Sequence, residues 1–223
     1  MKAFFKKIFS KESLKKFYSS YIWLMIVLFT IDIVTKWIVV NHFGVAAMQG
    51  GIRTAAEGAI TIIPNFCYIG GSINNGAAFS MLAGKRVLLL LISLVMSGAF
   101  IAYYIIQYKK LTTIYKVALA LMITGGVGNL IDRAFYWEST VGFGGVIDWI
   151  QFYFFGWPFA MFNIADSCLV IGIVVILIAM VIDEIKEAKR KAKRGEYKYS
   201  PEQLEKMKKE EEEKKANEGN QGK

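Results

Sequence analysis

Two aspartates, Asp148 in GGVIDWIQFYFF and Asp166 in FNIADSCLVIG, sit where the chain re-enters its last long apolar stretch. An ionised side chain at mid-bilayer costs about 3 kcal/mol on insertion scales, so such residues face the protein interior and mark chemistry or transport. Two carboxyls sharing a site cannot easily both ionise; one pKa rises and the pair holds a proton near neutral pH. One member can then act as base toward a water while the other donates to a carbonyl oxygen, with no covalent intermediate. Which aspartate carries the proton is a property of the pair.

The elements that would position this pair follow from composition. The 223 residues are 55% hydrophobic, yet the chain ends in a highly charged tail, so the apolar residues are concentrated elsewhere. Four stretches, 21–40, 86–107, 115–131 and 162–182, are each close to the roughly 20 residues that a helix needs to cross a bilayer. The first follows a basic leader, as in a cleaved signal peptide, but its apolar run is longer than an h-region of roughly 7 to 15 residues. It also contains Asp32 and Lys36, so it is read as a retained helix. The expected fold is a mainly α membrane domain over 21–182, with four transmembrane helices, a small extracytoplasmic β-containing module at about 43–85 and an outer loop at about 132–161. A basic arm (1–20) precedes it and a charged tail (183–223) follows.

Basic residues set the orientation. Lys2, Lys6, Lys7, Lys11, Lys15 and Lys16 precede the first span, Lys109, Lys110 and Lys116 lie around the second connection, and Lys and Arg crowd the tail. These regions are expected on the cytoplasmic side, both termini included, which puts the poorly basic connections and the aspartate pair at the outer face. Topology and anionic lipid account for the net charge of +9, and no nucleic-acid partner is expected. In the leader, Phe4, Phe5, Ile8 and Phe9 among lysines fit either a short interfacial helix or a disordered arm. From Asp183 onward the tail lacks the apolar residues to bury a core and reads as a solvated helix fraying into disorder. Short β-prone pieces at 60–63 and 66–69 flank Pro64-Asn65.

Several chemistries are set aside. The single histidine, His42, with no HExxH, gives no zinc site of the usual protease kind. Ser97-Gly98 lacks the glycine expected two residues ahead of a serine nucleophile. Gly125-Gly126-Val127-Gly128 lies in an apolar helix, where small residues serve close helix packing rather than phosphate binding. Cys67 and Cys168 give no disulfide framework and read as small apolar residues. Neither a metal nor a cofactor is expected.

The polar residues near the pair have helical spacing. Asn129, Asp132 and Arg133 fall at i, i+3 and i+4, and Asn163 and Asp166 at i and i+3, so each set can share a face. Asp166 lies about 6 Å along the axis from the start of its helix, where water can reach it. Duller readings stand beside these. Asp32 and Lys36, one turn apart, read as a structural ion pair, and Asp132 as a residue that caps and orients a helix end. Asn74 in Asn74-Asn75-Gly76 has a turn role as a rival, and Asn129 and Asn163 could simply cross-link helices.

NNGAAFS (74–80), TGGVGNLIDR (124–133), GVIDW (145–149) and FNIADS (162–167), with Asp32-Ile-Val-Thr35-Lys36 before them, closely resemble the motifs of bacterial lipoprotein signal peptidase (signal peptidase II). The resemblance covers about 21–182 in the family's order. It implies an aspartyl endopeptidase of the bacterial cytoplasmic membrane that removes signal peptides from prolipoproteins, cutting before the diacylglyceryl-modified cysteine. By motif position the catalytic dyad is Asp148 and Asp166, with Asn74, Asn129, Arg133 and Asn163 around substrate and dyad. It also implies lipidated prolipoproteins as partners and family-type inhibitors such as globomycin; membrane lipids are expected as further partners, and the chain is expected to be a monomer. The outer module would be the family's β-cradle and the segment after Arg133 its mobile periplasmic helix. Trp149 stands where many members have Phe, and the charged tail exceeds what that fold needs.

Two rival readings differ in class. A small proton- or cation-conducting protein would spread polar residues through the membrane thickness, whereas here Asp132, Asp148 and Asp166 gather at one face. A lipoprotein-binding scaffold would not require two acids.

Overall fold

The computed structural model describes residues 10–76, 85–135, 145–194 and 201–220. The leader residues Phe4, Phe5, Ile8 and Phe9, the end of the NNGAAFS motif beyond Gly76, and most of the expected mobile segment after Arg133 lie outside them. The chain divides into two units, Met1–Ile176 and Leu177–Lys223.

In the first unit, α1 (Lys11–Ser19) leads into α2 (Ile22–Phe43), followed by the short α3 (Val45–Gly50). Strands β1 (Ile60–Ile63) and β2 (Cys67–Asn74) precede α4 (Arg86–Gln107) and α5 (Thr113–Phe135). Strands β3 (Val146–Phe154) and β4 (Trp157–Pro158) then lead into α6 (Ile164–Lys193). Helices α2, α4, α5 and α6 are the four long and apolar enough to cross a membrane among the described residues. The burial pattern of α2 is inverted relative to a water-soluble helix. On α2 the buried residues are Asp32, Lys36 and Val39, while Ile26, Val27, Val34 and Trp37 are exposed. Apolar surface faces outward because lipid is no less apolar than the interior, and the polar side chains find their partners inside.

Helix α5 is the central one, half of its apolar window being buried, and the Gly125-Gly126-Val127-Gly128 run explains how. A Cβ on Gly125 would lie 2.3 Å from Ala165 O on α6, one on Gly126 2.8 Å from Ser97 Oγ on α4, and one on Gly128 2.8 Å from Asp32 Oδ2 on α2. Three helices therefore approach α5 through one turn of missing side chains. Because the atom facing Gly125 is backbone, Gly125→Ala is expected to destabilise by about 1–3 kcal/mol through overpacking, read as a lower unfolding temperature in detergent.

The four strands form one antiparallel sheet in the order β1-β2-β3-β4. Pro64 and Asn65, the latter at φ 59°, make the β1–β2 turn, with Phe66 N donating to Ile63 O at 3.1 Å. Proline followed by a positive-φ residue is a type II arrangement, which asparagine tolerates. The β2–β3 register shifts between Ile69 and Ser72, where Gly71 bridges Ile52 and a Cβ on Gly70 would sit 1.8 Å from Ile52 O. Beyond that shift Ser72 pairs with Asp148 and Asn74 with Val146.

The sheet corrects the sequence reading in one respect. Residues 145–161, assigned above to an outer loop, supply β3 and β4, so the sheet is built from the α2–α4 and α5–α6 connections together and Asp148 stands on a central strand. The helices also run longer at several ends than the apolar runs: α2 to Phe43, α5 from Thr113 to Phe135, and α6 to Lys193. Asn129, Asp132 and Arg133 consequently lie inside the closing turns of α5.

The second unit comprises α6 from Leu177 onward and α7 (Pro201–Asn220). Where fraying chain was expected, α7 is a second helix with a Glu205–Lys209 pair at 3.1 Å, and Glu187–Lys191 at 2.9 Å does the same on α6. Such i,i+4 pairs support a solvated helix by a few tenths of a kcal/mol each, about 0.2–0.5.

Candidate active site

The site forms where the start of α6 meets β3 against the end of α5. Asn163 caps α6, its Oδ1 accepting from Asp166 N at 2.9 Å, and Asp166 Oδ2 accepts in return from Asn163 N at 3.1 Å. This reciprocal capping box fixes the Asp166 side chain at the helix N-terminus, where the helix dipole favours negative charge. Asp166 Oδ1 accepts from Asn129 Nδ2 on α5 at 2.7 Å.

Asp148 comes from β3 and is 2% exposed. Its Oδ1 accepts from Asn163 Nδ2 at 2.7 Å and its Oδ2 from Asn74 Nδ2 at 3.0 Å. All four carboxylate oxygens of the two aspartates thus accept a hydrogen bond, and Asn163 serves both residues, through its side-chain amide and its backbone N–H. Burial, together with the nearby Asp166 carboxylate, pushes Asp148 up to about 8 against the opposing hydrogen bonds from Asn74 and Asn163.

The turn role of Asn74 and its site role coexist. Its Oδ1 accepts from Gly76 N at 3.0 Å, an Asx turn, which leaves the amide free to point at Asp148. Arg133 donates to two backbone carbonyls, Asn129 O at 3.2 Å and Gly76 O at 3.4 Å. It ties the chain after β2 to α5 rather than pairing with a single carboxylate.

Beneath this layer lies a buried ion triad. Lys36 Nζ is 2.8 Å from both Asp32 Oδ2 and Asp132 Oδ2, all three side chains being at most 1% exposed, and Asn129 Oδ1 lies 3.5 Å from the ammonium. Asp32 Oδ1 accepts from Ala165 N at 2.9 Å, and Asp132 Oδ2 from Ile147 N at 3.3 Å. The triad therefore holds the residue immediately before each of Asp166 and Asp148. The structural ion pair expected of Asp32 and Lys36 is present, and Asp132 joins it instead of capping a helix end. That third member depends on the close approach of α2 to α5 at Gly128, which no local spacing encodes.

Sequence reasoning missed Gln151. It is 1% exposed, and its Nε2 donates to Phe152 O at 2.9 Å and Phe159 O at 2.6 Å, bracing the β3–β4 hairpin. A lone glutamine amid aromatic residues was the available signal. Cys168 on α6 is buried as a small apolar residue. Among the described residues no cluster of His, Cys, Asp and Glu could hold a metal ion.

This architecture has known counterparts. The family model described as signal peptidase (SPase) II matches residues 24–182, which contain every site residue named above. A lipoprotein signal peptidase of Halalkalibacterium halodurans is 34% identical over 167 residues, covering 74% of this chain and 94% of that protein. One from Staphylococcus epidermidis is 34% identical over 176 residues, covering 78% and 98%. Two solved structures, both described as a bacterial membrane enzyme obtained by the in meso method, at 2.3 Å and 1.9 Å resolution, are each 31% identical. They match with TM-scores of 0.58 and 0.55, covering 73% and 71% of this chain and 88% and 90% of theirs. With four apolar spans, one four-stranded sheet and this extent of match, the chain is a bacterial membrane protein that belongs to the signal peptidase II family, peptidases of lipoprotein maturation.

Proposed function

We propose that the chain is an aspartic endopeptidase, with Asp148 and Asp166 as its catalytic dyad, and that it cleaves diacylglyceryl-modified prolipoproteins before the lipidated cysteine. The observation that carries this reading is the shared donor, Asn163, which donates to Asp148 at 2.7 Å and to Asp166 at 3.1 Å. It holds the buried carboxyl of Asp148 and the half-buried carboxyl of Asp166 in one hydrogen-bonded site. Such a site favours one proton on the pair. The ionised carboxyl takes a proton from the attacking water as that water's oxygen bonds to the scissile carbonyl carbon. The protonated carboxyl hydrogen-bonds the carbonyl oxygen, which becomes the second hydroxyl of a tetrahedral diol. As the C–N bond breaks, a proton passes to the departing amine and the dyad returns to its one-proton state. Asn74, Asn129 and Asn163 aim the carboxylates, and Arg133 shapes the chain that borders them.

The substrate's acyl chains would lie against the exposed apolar faces of the spans. Both termini are cytoplasmic in this reading and the dyad lies near the outer face, as the lysines at 109, 110 and 116 direct. The protein acts as a monomer without a cofactor, and globomycin-type inhibitors bind at the dyad.

The test is direct. The purified chain in detergent, incubated with a lipidated preprotein, is expected to release a shortened lipoprotein and to leave the unlipidated precursor uncut. Turnover should fall as pH rises through about 8, where the shared proton is lost. Stability should move in the same direction. Asp148 binds its proton more tightly folded than unfolded, so its contribution is full at low pH and is lost as pH rises from the ordinary carboxylate range through about 8. Equal cleavage of the unlipidated precursor would remove the substrate assignment, and turnover still rising well above pH 8 would remove the one-proton dyad.

A further inference from the structure

No residue between Asp148 and Asp166 is charged, and the stretch is crowded with aromatic rings. β3 and β4 close on Phe155-Gly156, with Phe154 opposite Trp157. Both turn residues have positive φ, 53° and 82°, a two-residue mirror-image turn in which Asn-Gly is the ordinary choice. Phenylalanine there is held in the left-handed region, where its Cβ crowds the backbone. Its ring gains no packing in return: Phe155 is fully exposed and Trp157 is 78% exposed. A strained residue that presents a large apolar side chain to the outside points to a role beyond folding.

The surroundings extend the pattern. Ile62, Ile63 and Phe66, around the β1–β2 turn, are exposed as well, and Phe66 packs its ring 5.7 Å from that of Phe154, so both turns lie at the same end of the sheet. From Phe154 the ring contacts continue to Phe159 at 6.0 Å and from Phe159 to Phe162 at 6.0 Å. Phe162 directly precedes Asn163, the cap of the spanning helix α6. A continuous aromatic path thus joins the sheet tip to the end of a transmembrane helix, the level at which tryptophan and tyrosine collect in membrane proteins. A water-facing protein surface would carry a polar rim around such a patch; this hairpin has no charge to form one.

We propose that the tip of the sheet, Phe155 and Trp157 with the adjoining β1–β2 turn, is seated in the interfacial layer of the bilayer that α6 crosses, with lipid as its occupant. It moors the far end of β3, the strand that carries Asp148, as Asp132 moors the near end through Ile147. The inference rests on the membrane assignment and not on the peptidase reading, so each can fail alone.

Trp157 itself is the probe. The full chain is placed in vesicles of phosphatidylglycerol and phosphatidylethanolamine, and its tryptophan emission is compared with that of Trp157→Phe, so that the difference reports Trp157. With acyl chains brominated near the headgroup that difference is expected to fall by about half or more, and aqueous iodide should leave it nearly unchanged. Phe155→Trp in the Trp157→Phe background moves the reporter to the turn and should behave alike. Emission quenched by iodide but indifferent to brominated chains overturns the proposal. Protection from both quenchers, the sign of a ring covered by a second copy or another protein, overturns it too.

Discussion

Asp148→Asn and Asp166→Asn are each expected to reduce turnover on a lipidated preprotein by roughly 10²–10⁴-fold or more, the range removed with a general acid or base. Asparagine matches aspartate in shape but cannot exchange a proton, so the water and the carbonyl oxygen lose their partner while the surrounding packing stays. The two effects should not add. A dyad works as a unit, so the double variant is expected to be no slower than the worse single one. Folding needs its own readout, because every carboxylate oxygen here accepts a hydrogen bond. An asparagine amide at either position must therefore face a donor, Asn129 Nδ2 or Asn163 N at 166, Asn74 Nδ2 or Asn163 Nδ2 at 148. One such mismatch costs about 1–3 kcal/mol, visible as a lower unfolding temperature but far short of unfolding the membrane domain. If either single variant, shown folded, cleaves at near-normal rate, the two-aspartate mechanism is wrong.

The parts of this site that were legible in the sequence are those written within one element. Asn129, Asp132 and Arg133 declare a shared face by spacing, Asn163 and Asp166 declare a helix start, and Asp32 and Lys36 a one-turn pair. The β1–β2 turn was legible because Pro64 and Asn65 carry their backbone preferences with them. Relations between elements were not. VIDWIQFYF is apolar on both faces, so it lacks the alternation that marks a half-buried strand, and it sits between two membrane segments in a stretch read as a connection. Its pairing with β2 is set at long range, through the register shift at Gly70-Gly71 and the Asp132–Ile147 hydrogen bond. The double use of Asn74 was likewise invisible, since a turn-forming asparagine and a site asparagine have the same sequence signature.

The largest effect on stability is expected at Lys36, the residue that spacing alone made look like an ordinary partner for Asp32. Lys36→Met keeps much of the side-chain volume and removes the ammonium that pairs with both Asp32 and Asp132, each contact being 2.8 Å. Breaking a buried ion pair by deleting one partner costs about 3–5 kcal/mol, because the remaining charge stays buried and uncompensated. Two carboxylates are stranded here, and they are the groups that hold Ala165 N and Ile147 N. Activity should therefore fall along with the unfolding temperature in detergent. Replacing a whole buried ion cluster by neutral groups is often close to neutral in energy. The triple variant Asp32→Asn, Lys36→Met, Asp132→Asn is accordingly expected to recover most of the lost stability, its asparagine oxygens still accepting from Ala165 and Ile147. Its activity should recover in parallel if the triad acts on the dyad through those two backbone hydrogen bonds. Recovered stability without recovered turnover would instead mean that the charge of Lys36 acts on the dyad directly. A Lys36→Met protein that melts at the parent temperature would show that the triad does not hold α2, α5, α6 and β3 together.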